Sequence, residues 1–322
     1  MIDLMNCTDA VAEQTFLDEM NAKAKAMGLV DTDFIRADGW AYEGNFTTTD
    51  EYVRIIATAV NYRRTAEAFG CPQKTVWVSG ENPRELPMTS TVVVGKDDSA
   101  SVLRRDFWLL GGKTGTLSKY AQVYNLGLNL EDKKTGTRIT VVGIGDTPDE
   151  PGSNRFTRVR ALADIGMLLV NAGESNISCS DDIRDPECKA KVKEIEQKLS
   201  AGCVAGTVIL TPQNAAYEYS NYTGEANSRF IYSYNGKKKV LQASLAKVMT
   251  CMLLEDWVSD WNETFTLIPG DIKLGCSVVT QAGDTITFAD SLYLMMLPSS
   301  NDVACAIARV IGHKMYAVKH RA

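Results

Sequence analysis

The amino-acid order predicts an α+β fold, one antiparallel sheet with an α-helical lobe beside it. Three observations lead there. Helix-period segments open and close the chain, β-branched segments fill much of the interior, and a polar stretch at 173–187 parts two blocks of strands. The 322 residues, 45% apolar and 23% charged, suffice for one large domain or two modest ones.

The elements follow in order. Residues 8–28 are predicted as a helix. Thr8 or Asp9 can cap it, Val11, Phe16, Leu17, Met20, Ala24 and Met27 share a face, and Gly28 can end it. Residues 29–46 are expected as loop. A second helix is expected from the Thr47–Asp50 cap to about Gly70. Strands are expected at Thr75–Val78, Thr91–Val94, Trp108–Thr116, Ala121–Leu130 and Arg138–Ile144, the last two joined by a turn over 131–137. A helix over 154–172 ends at Gly173. The linker 173–187 leads to a helix at 186–200 with Pro186 in its first turn. Strands resume at Val204–Leu210, Ala216–Ser220 and Arg229–Tyr234. Helices follow from about Ser244, at Asp290–Leu297 and at Asn301–Ile311, the last two parted by Pro298-Ser299-Ser300.

Composition narrows the function. A net charge of −6 argues against a nucleic-acid groove or a polybasic membrane contact. No stretch is long and apolar enough for a membrane-spanning helix, and the first fifteen residues lack the basic start and apolar core of a signal peptide. The eight cysteines form no Cys-x-x-Cys pair, and His313 and His320 are the only histidines, so zinc-type spacing is absent and no metal or cofactor is expected. Cys179 and Cys188 could bridge a loop; small buried thiols are the alternative. With both histidines in the C-terminal stretch, a serine enzyme here needs a base other than histidine.

Ser244-Leu245-Ala246-Lys247 supplies one. Residues i and i+3 adjoin on a helix, serine suits a helix start, and the N–H groups there can hold an oxyanion. Lysine can take the serine proton only when neutral, which burial or a nearby cation favours. Ser299-Ser300-Asn301 sits at a helical corner, where Ser299 can relay a proton and Asn301 can orient a lysine and a substrate amide. Alternatively Ser299 or Ser300 merely caps the next helix. Lys113-Thr114-Gly115-Thr116 follows two glycines on a strand. Lys113 would place a fixed positive charge at a cleft edge, Gly115 would admit a ligand backbone, and Thr116 offers N–H and hydroxyl. The identical Lys134–Thr137 lies in a turn, so strand context selects the first copy.

Ser-x-x-Lys, Ser-x-Asn and Lys-Thr-Gly together are the motif set of penicillin-binding proteins and class A β-lactamases. With Ala243–Thr250, Ala282–Asp302, Gly112–Gly115, Phe16–Gly28 and Arg155–Gly166, nearly the whole chain resembles the D-alanyl-D-alanine carboxypeptidases, low-molecular-mass penicillin-binding proteins. The motif order departs from that family, because Lys-Thr-Gly comes first here. Residues 1–172 resemble the family's second half, 173–187 a linker, and 188–322 its first half. The resemblance implies a β-lactamase/transpeptidase-like fold in circularly permuted order, its antiparallel sheet flanked by the family's terminal helices. An extended linker could reach up to roughly 50 Å. A fragment spanning two tandem copies, or two chains exchanging halves, are the competing accounts; the chain would be a monomer or a half-exchanged dimer.

The resemblance implies a serine peptidase acting on peptidoglycan peptides ending in D-Ala-D-Ala, inhibited by β-lactams. Ser244 would form an acyl-enzyme, Lys247 would be the base, and Ser299 would pass the proton to the leaving amine. Asn301 would hold Lys247 and the substrate. N–H groups of Ser244 and Thr116 would bind the oxyanion, and Lys113, Thr114 and Thr116 the terminal carboxylate. Arg155 would assist, unless it is a plain helix-start arginine. A β-lactamase or another hydrolase of that fold, or an inactive binding domain, are the alternatives. Glu13 and Glu19 make unconvincing deacylation bases on an amphipathic helix. The family's substrate is extracytoplasmic, which conflicts with the missing export signal.

Overall fold

A computed structural model describes residues 7–41, 43–95, 98–117, 123–150, 154–199, 202–211, 229–273 and 280–320. In chain order the elements are α1 (Asp9–Ala26), β1 (Phe46–Thr47), α2 (Thr49–Ala59), α3 (Arg63–Gly70), β2 (Gln73–Gly80), β3 (Arg84–Thr89), α4 (Ser101–Arg104), β4 (Phe107–Leu117), β5 (Val123–Asp132) and β6 (Arg138–Gly145). Then come α5 (Arg155–Asn171), α6 (Pro186–Leu199), β7 (Cys203–Leu210), β8 (Arg229–Tyr234), β9 (Val240–Leu241), α7 (Lys247–Trp257), β10 (Thr264–Thr266), β11 (Asp284–Thr287), α8 (Phe288–Met296) and α9 (Asn301–Lys319). The expected strand at Ala216–Ser220 lies outside the described residues. Among the described helices, none is long and apolar enough to cross a membrane.

The structure is mixed α/β with antiparallel sheets. A five-stranded sheet runs in the order β4-β5-β6-β7-β8. It draws strands from both sides of the 173–187 stretch, and Ile139↔Leu210 through Ile144↔Ala205 zip β6 to β7. Both of its faces are covered, so its strands read as nearly unbroken apolar runs. On β6, Val141 turns toward Leu162, Val159 and Val192 of α5 and α6, while Val142 turns toward the cluster of Tyr52, Ile56, Met252 and Leu294. Each buried aliphatic side chain in these layers contributes about 1.5–3 kcal/mol.

Three expectations are corrected. The single sheet is three among the described residues, because β10-β11-β2-β3 and the short β1-β9 pair stand apart. Thr91–Val94 is a turn rather than a strand: Ser90 Oγ accepts the N–H groups of Val92 at 3.1 Å and Val93 at 3.0 Å. That local side-chain bond outcompetes β-branched propensity. The helix expected from Thr47 to Gly70 is two helices. Glu255 of α7 accepts Arg64 N at 3.0 Å and Thr65 N at 2.9 Å, capping α3 from 190 residues away. The 173–187 linker carries local structure of its own. Glu174 is buried and accepts Arg184 N at 3.0 Å, Ile177 bridges Tyr232, and residues 180–182 form a 3-10 turn. Cys179 and Cys188 are both free thiols.

The helical lobe is closed by α1 against α9. Gly312 permits this, because a Cβ there would stand 2.0 Å from the carbonyl oxygen of Ala12. Backbone cannot yield as a side-chain tip can. Gly312→Ala should therefore lower unfolding stability by about 1–3 kcal/mol, read as a fall in urea midpoint at unchanged slope.

Candidate active site

Ser244 sits in a 3-10 turn, Ala243–Ala246, that leads into α7 at Lys247. The α-helix thus starts three residues later than the spacing suggested. Ala243 carries φ +52°, a left-handed value that costs a residue with a side chain about 1 kcal/mol or more. Three elements hold this turn. Tyr52 Oη of α2 donates to Leu245 O. Gln242 Nε2 donates to Asp33 O at 2.9 Å and Phe46 O at 2.8 Å. Asn125 Nδ2 of β5 donates to Leu241 O at 2.9 Å and Gln242 O at 3.1 Å.

Lys247 is wholly buried. Its Nζ donates to Ser244 Oγ at 2.9 Å, Asn301 Oδ1 at 2.7 Å and Asp38 O at 2.8 Å. Ser244 itself is half-buried, open on one side. Asn301 is the first residue of α9, and Ser300 is that helix's cap, accepting Val303 N at 3.3 Å. Ser299 is therefore not needed as a cap. With φ +68° it turns its hydroxyl the other way, and Lys113 Nζ donates to it at 2.8 Å.

Lys113-Thr114-Gly115-Thr116 lies on β4, the edge strand beside the serine turn. A Cβ on Gly115 would stand 2.9 Å from Gln242 O and 3.2 Å from Leu245 N, so only glycine lets the strand approach the turn so closely. The structure therefore brings Lys113, Ser244, Lys247, Ser299 and Asn301 to one place from both halves of the chain. Thr114 is nearly buried and shares a 2.9 Å hydroxyl contact with Thr91, while Thr116 is exposed. The second copy is a turn: Thr135 N donates to Asp132 Oδ2 at 2.7 Å and Gly136 has φ +71°.

Two roles change. Lys113 is not a charge at the cleft edge. It is fully buried, and burial first, then Lys247 and Arg155, push its pKa far below the ordinary lysine value. It is placed to exchange a proton with Ser299. Arg155 is not free for a substrate carboxylate. Its guanidinium pairs with Asp149 at 2.6 Å and donates to the carbonyls of Gly115 and Asn125 at 3.3 Å, so it braces β4 and β5 from beside the site.

Sequence reasoning missed Asp38, Gln242 and Asn125. Asp38 is buried; Arg36 donates to its carboxylate, and the Arg36 bond and the Lys247 charge outweigh burial to hold its pKa below the usual carboxylate range. The Asp-Gly pair at 38–39 was a legible turn signal, with Gly39 at φ +76°. Asn125, a lone amide in an apolar strand, was the other signal. No protein-family model, no curated protein and no solved structure matches this chain.

Two outcomes follow from this geometry. A buried lysine with a lowered pKa binds fewer protons folded than unfolded, so it makes stability rise as pH climbs from its folded value toward 10.5. Lys113→Met should remove that rise and stabilise the fold at neutral pH, seen in urea midpoints from about pH 7 to about pH 10. Asn125→Leu should strip the amide donor from the carbonyls at 241 and 242, leaving Gln242 O only the 3.3 Å bond from Leu245 N, and loosen the serine turn, slowing covalent labelling of Ser244 by about 10-fold or more. The labelling rate per folded molecule checks it.

Proposed function

We propose that the chain is a serine-type D-alanyl-D-alanine carboxypeptidase of transpeptidase-like fold, with the family's halves in circularly permuted order. One observation carries the reading: Lys247 bonds both Ser244 and Asn301 while Lys113 bonds Ser299, so three motifs scattered in swapped order share one site. The permutation draws support from the packing. His313 and Gly312 lie against Asp9 and Ala12, so the ends a permutation would create adjoin. Of the segments matching the family's terminal helices, α5 packs on the sheet and α6 packs beside α5.

In this reading a neutral Lys247 keeps two N–H bonds, to Asp38 O and Asn301 Oδ1, and turns its lone pair to the Ser244 proton. Ser244 Oγ attacks the carbonyl between the two D-alanines. The oxyanion is held by the N–H groups of Ser244 and Thr116, each donor worth about 3 kcal/mol. Ser299 passes the proton that Lys247 took from Ser244 on to the leaving amine, so the count closes, and Lys113 holds the Ser299 hydroxyl in place for that relay. Recognition of the terminal carboxylate falls to the exposed Thr116 and the β4 edge, since Lys113 is buried. Water then releases the shortened peptide. β-Lactams present the same acyl group and would acylate the same oxygen.

Intact-mass measurement after benzylpenicillin treatment tests the reading. A single lasting adduct is expected on the wild type, none on Ser244→Ala, and an adduct formed at least about 100-fold more slowly on Lys247→Ala. Rapid penicillin hydrolysis with no lasting adduct would instead mark a β-lactamase. An unlabelled, fully folded wild type would mark an inactive domain.

A further inference from the structure

The second cluster of nucleophilic chemistry lies where α1 meets α9, apart from the serine site. Cys7 Sγ stands 3.2 Å from His313 Nδ1, and His313 Nε2 stands 2.9 Å from Asp9 Oδ1. The three residues come from opposite ends of the sequence, 306 positions apart for the first contact and 304 for the second. The order is thiol, ring, carboxylate. An ionised carboxylate only accepts, so Asp9 fixes the ring proton on Nε2 and leaves Nδ1 as the acceptor facing the thiol. A nucleophile within hydrogen-bond reach of a base, with the base oriented by a third group, is the arrangement that activates a thiol.

Access and alternatives bear on what this cluster does. Cys7 is half-buried, and the side chains of His313 and Asp9 are 37% and 53% exposed, so a reagent can reach it from solvent. The thiol and the carboxylate approach opposite nitrogens of one ring and cannot converge on a common ion, and among the described residues no group of His, Cys, Asp and Glu is arranged to hold a metal. Burial first, and then the Asp9 charge, push the Cys7 thiol up. Cys7 therefore rests as a thiol and needs His313 to remove its proton as it reacts. Cys179, exposed and without a histidine partner, provides the comparison within the same molecule.

We propose that Cys7, His313 and Asp9 form a base-assisted thiol site that exchanges with low-molecular-mass disulfides. His313 Nδ1 takes the Cys7 proton as Sγ attacks one sulfur of the disulfide. A Cys7–S–S–R bond forms, the original S–S bond breaks, and the departing thiolate takes the proton back from His313. No electrons are gained or lost beyond those exchanged between the two disulfides. The product is a mixed disulfide at the seam between α1 and α9. The inference does not depend on the serine chemistry.

Oxidised glutathione at neutral pH, with peptide mass mapping over time, tests it on the full chain. Cys7 should be modified about 10-fold or more faster than Cys179. His313→Gln should bring Cys7 down to the Cys179 rate while leaving Cys179 unchanged, and Asp9→Asn should slow Cys7 several-fold with Cys179 again unchanged. Should His313→Gln unfold the chain, seen as modification of the buried Cys251 and Cys305, the Asp9→Asn rate decides. A wild-type Cys7 no faster than Cys179, or a Cys7 rate indifferent to the substitutions, overturns the proposal.

Discussion

A single buried amine organises the centre of this protein. Lys247 has no contact with solvent, so each of its hydrogen-bonding directions must find a partner inside the protein. They find a hydroxyl on its own turn, an amide at the start of α9 and a carbonyl of the segment around Asp38. Those three partners tie α7, α9 and the 36–40 segment into one unit. Displacing any one of them would leave a buried polar group without its partner, at a cost of about 1–3 kcal/mol. The surroundings of Ser244 are thus fixed by the same bonds that hold the lobe together.

A second buried amine on a neighbouring element sharpens that constraint. Burial first, then Lys247 and Arg155, disfavour a charge on Lys113. Keeping Lys113 uncharged costs the fold stability wherever the unfolded lysine would be protonated, neutral pH included. Lys113 nonetheless packs at β4 with its one side-chain hydroxyl partner on Ser299, a residue itself held at positive φ. Strain at Ala243 and Ser299, on either side of the two lysines, belongs to the same pattern of backbone bent to aim functional groups.

Much of this was legible before any coordinates. The helix cap at Thr8, the apolar strand runs and the three chemical motifs each rest on local rules, and local rules read well from sequence. The failures share a cause as well. Glu255 capping α3, Asn125 fastening the serine turn and Asp149 neutralising Arg155 are long-range bonds, formed only once the chain has folded. Lys113 reads as a surface charge because lysine usually is one; only packing reveals its burial. Thr91–Val94 failed differently, since Ser90 supplied a purely local alternative that β-branching obscured.

The pairing of β6 with β7 has a consequence for biosynthesis. A ribosome finishes β4, β5 and β6 well before residues 203–210 emerge, and until then the apolar outer edge of β6 has no neighbour. The nascent first half is therefore a sheet with a naked rim, and α3 waits still longer for the carboxylate of Glu255. Such an intermediate is prone to pair with another copy of itself on a polysome. Slow elongation between residues 145 and 203 would prolong that exposure, and a chaperone that shields strand edges would matter most for this chain during that interval.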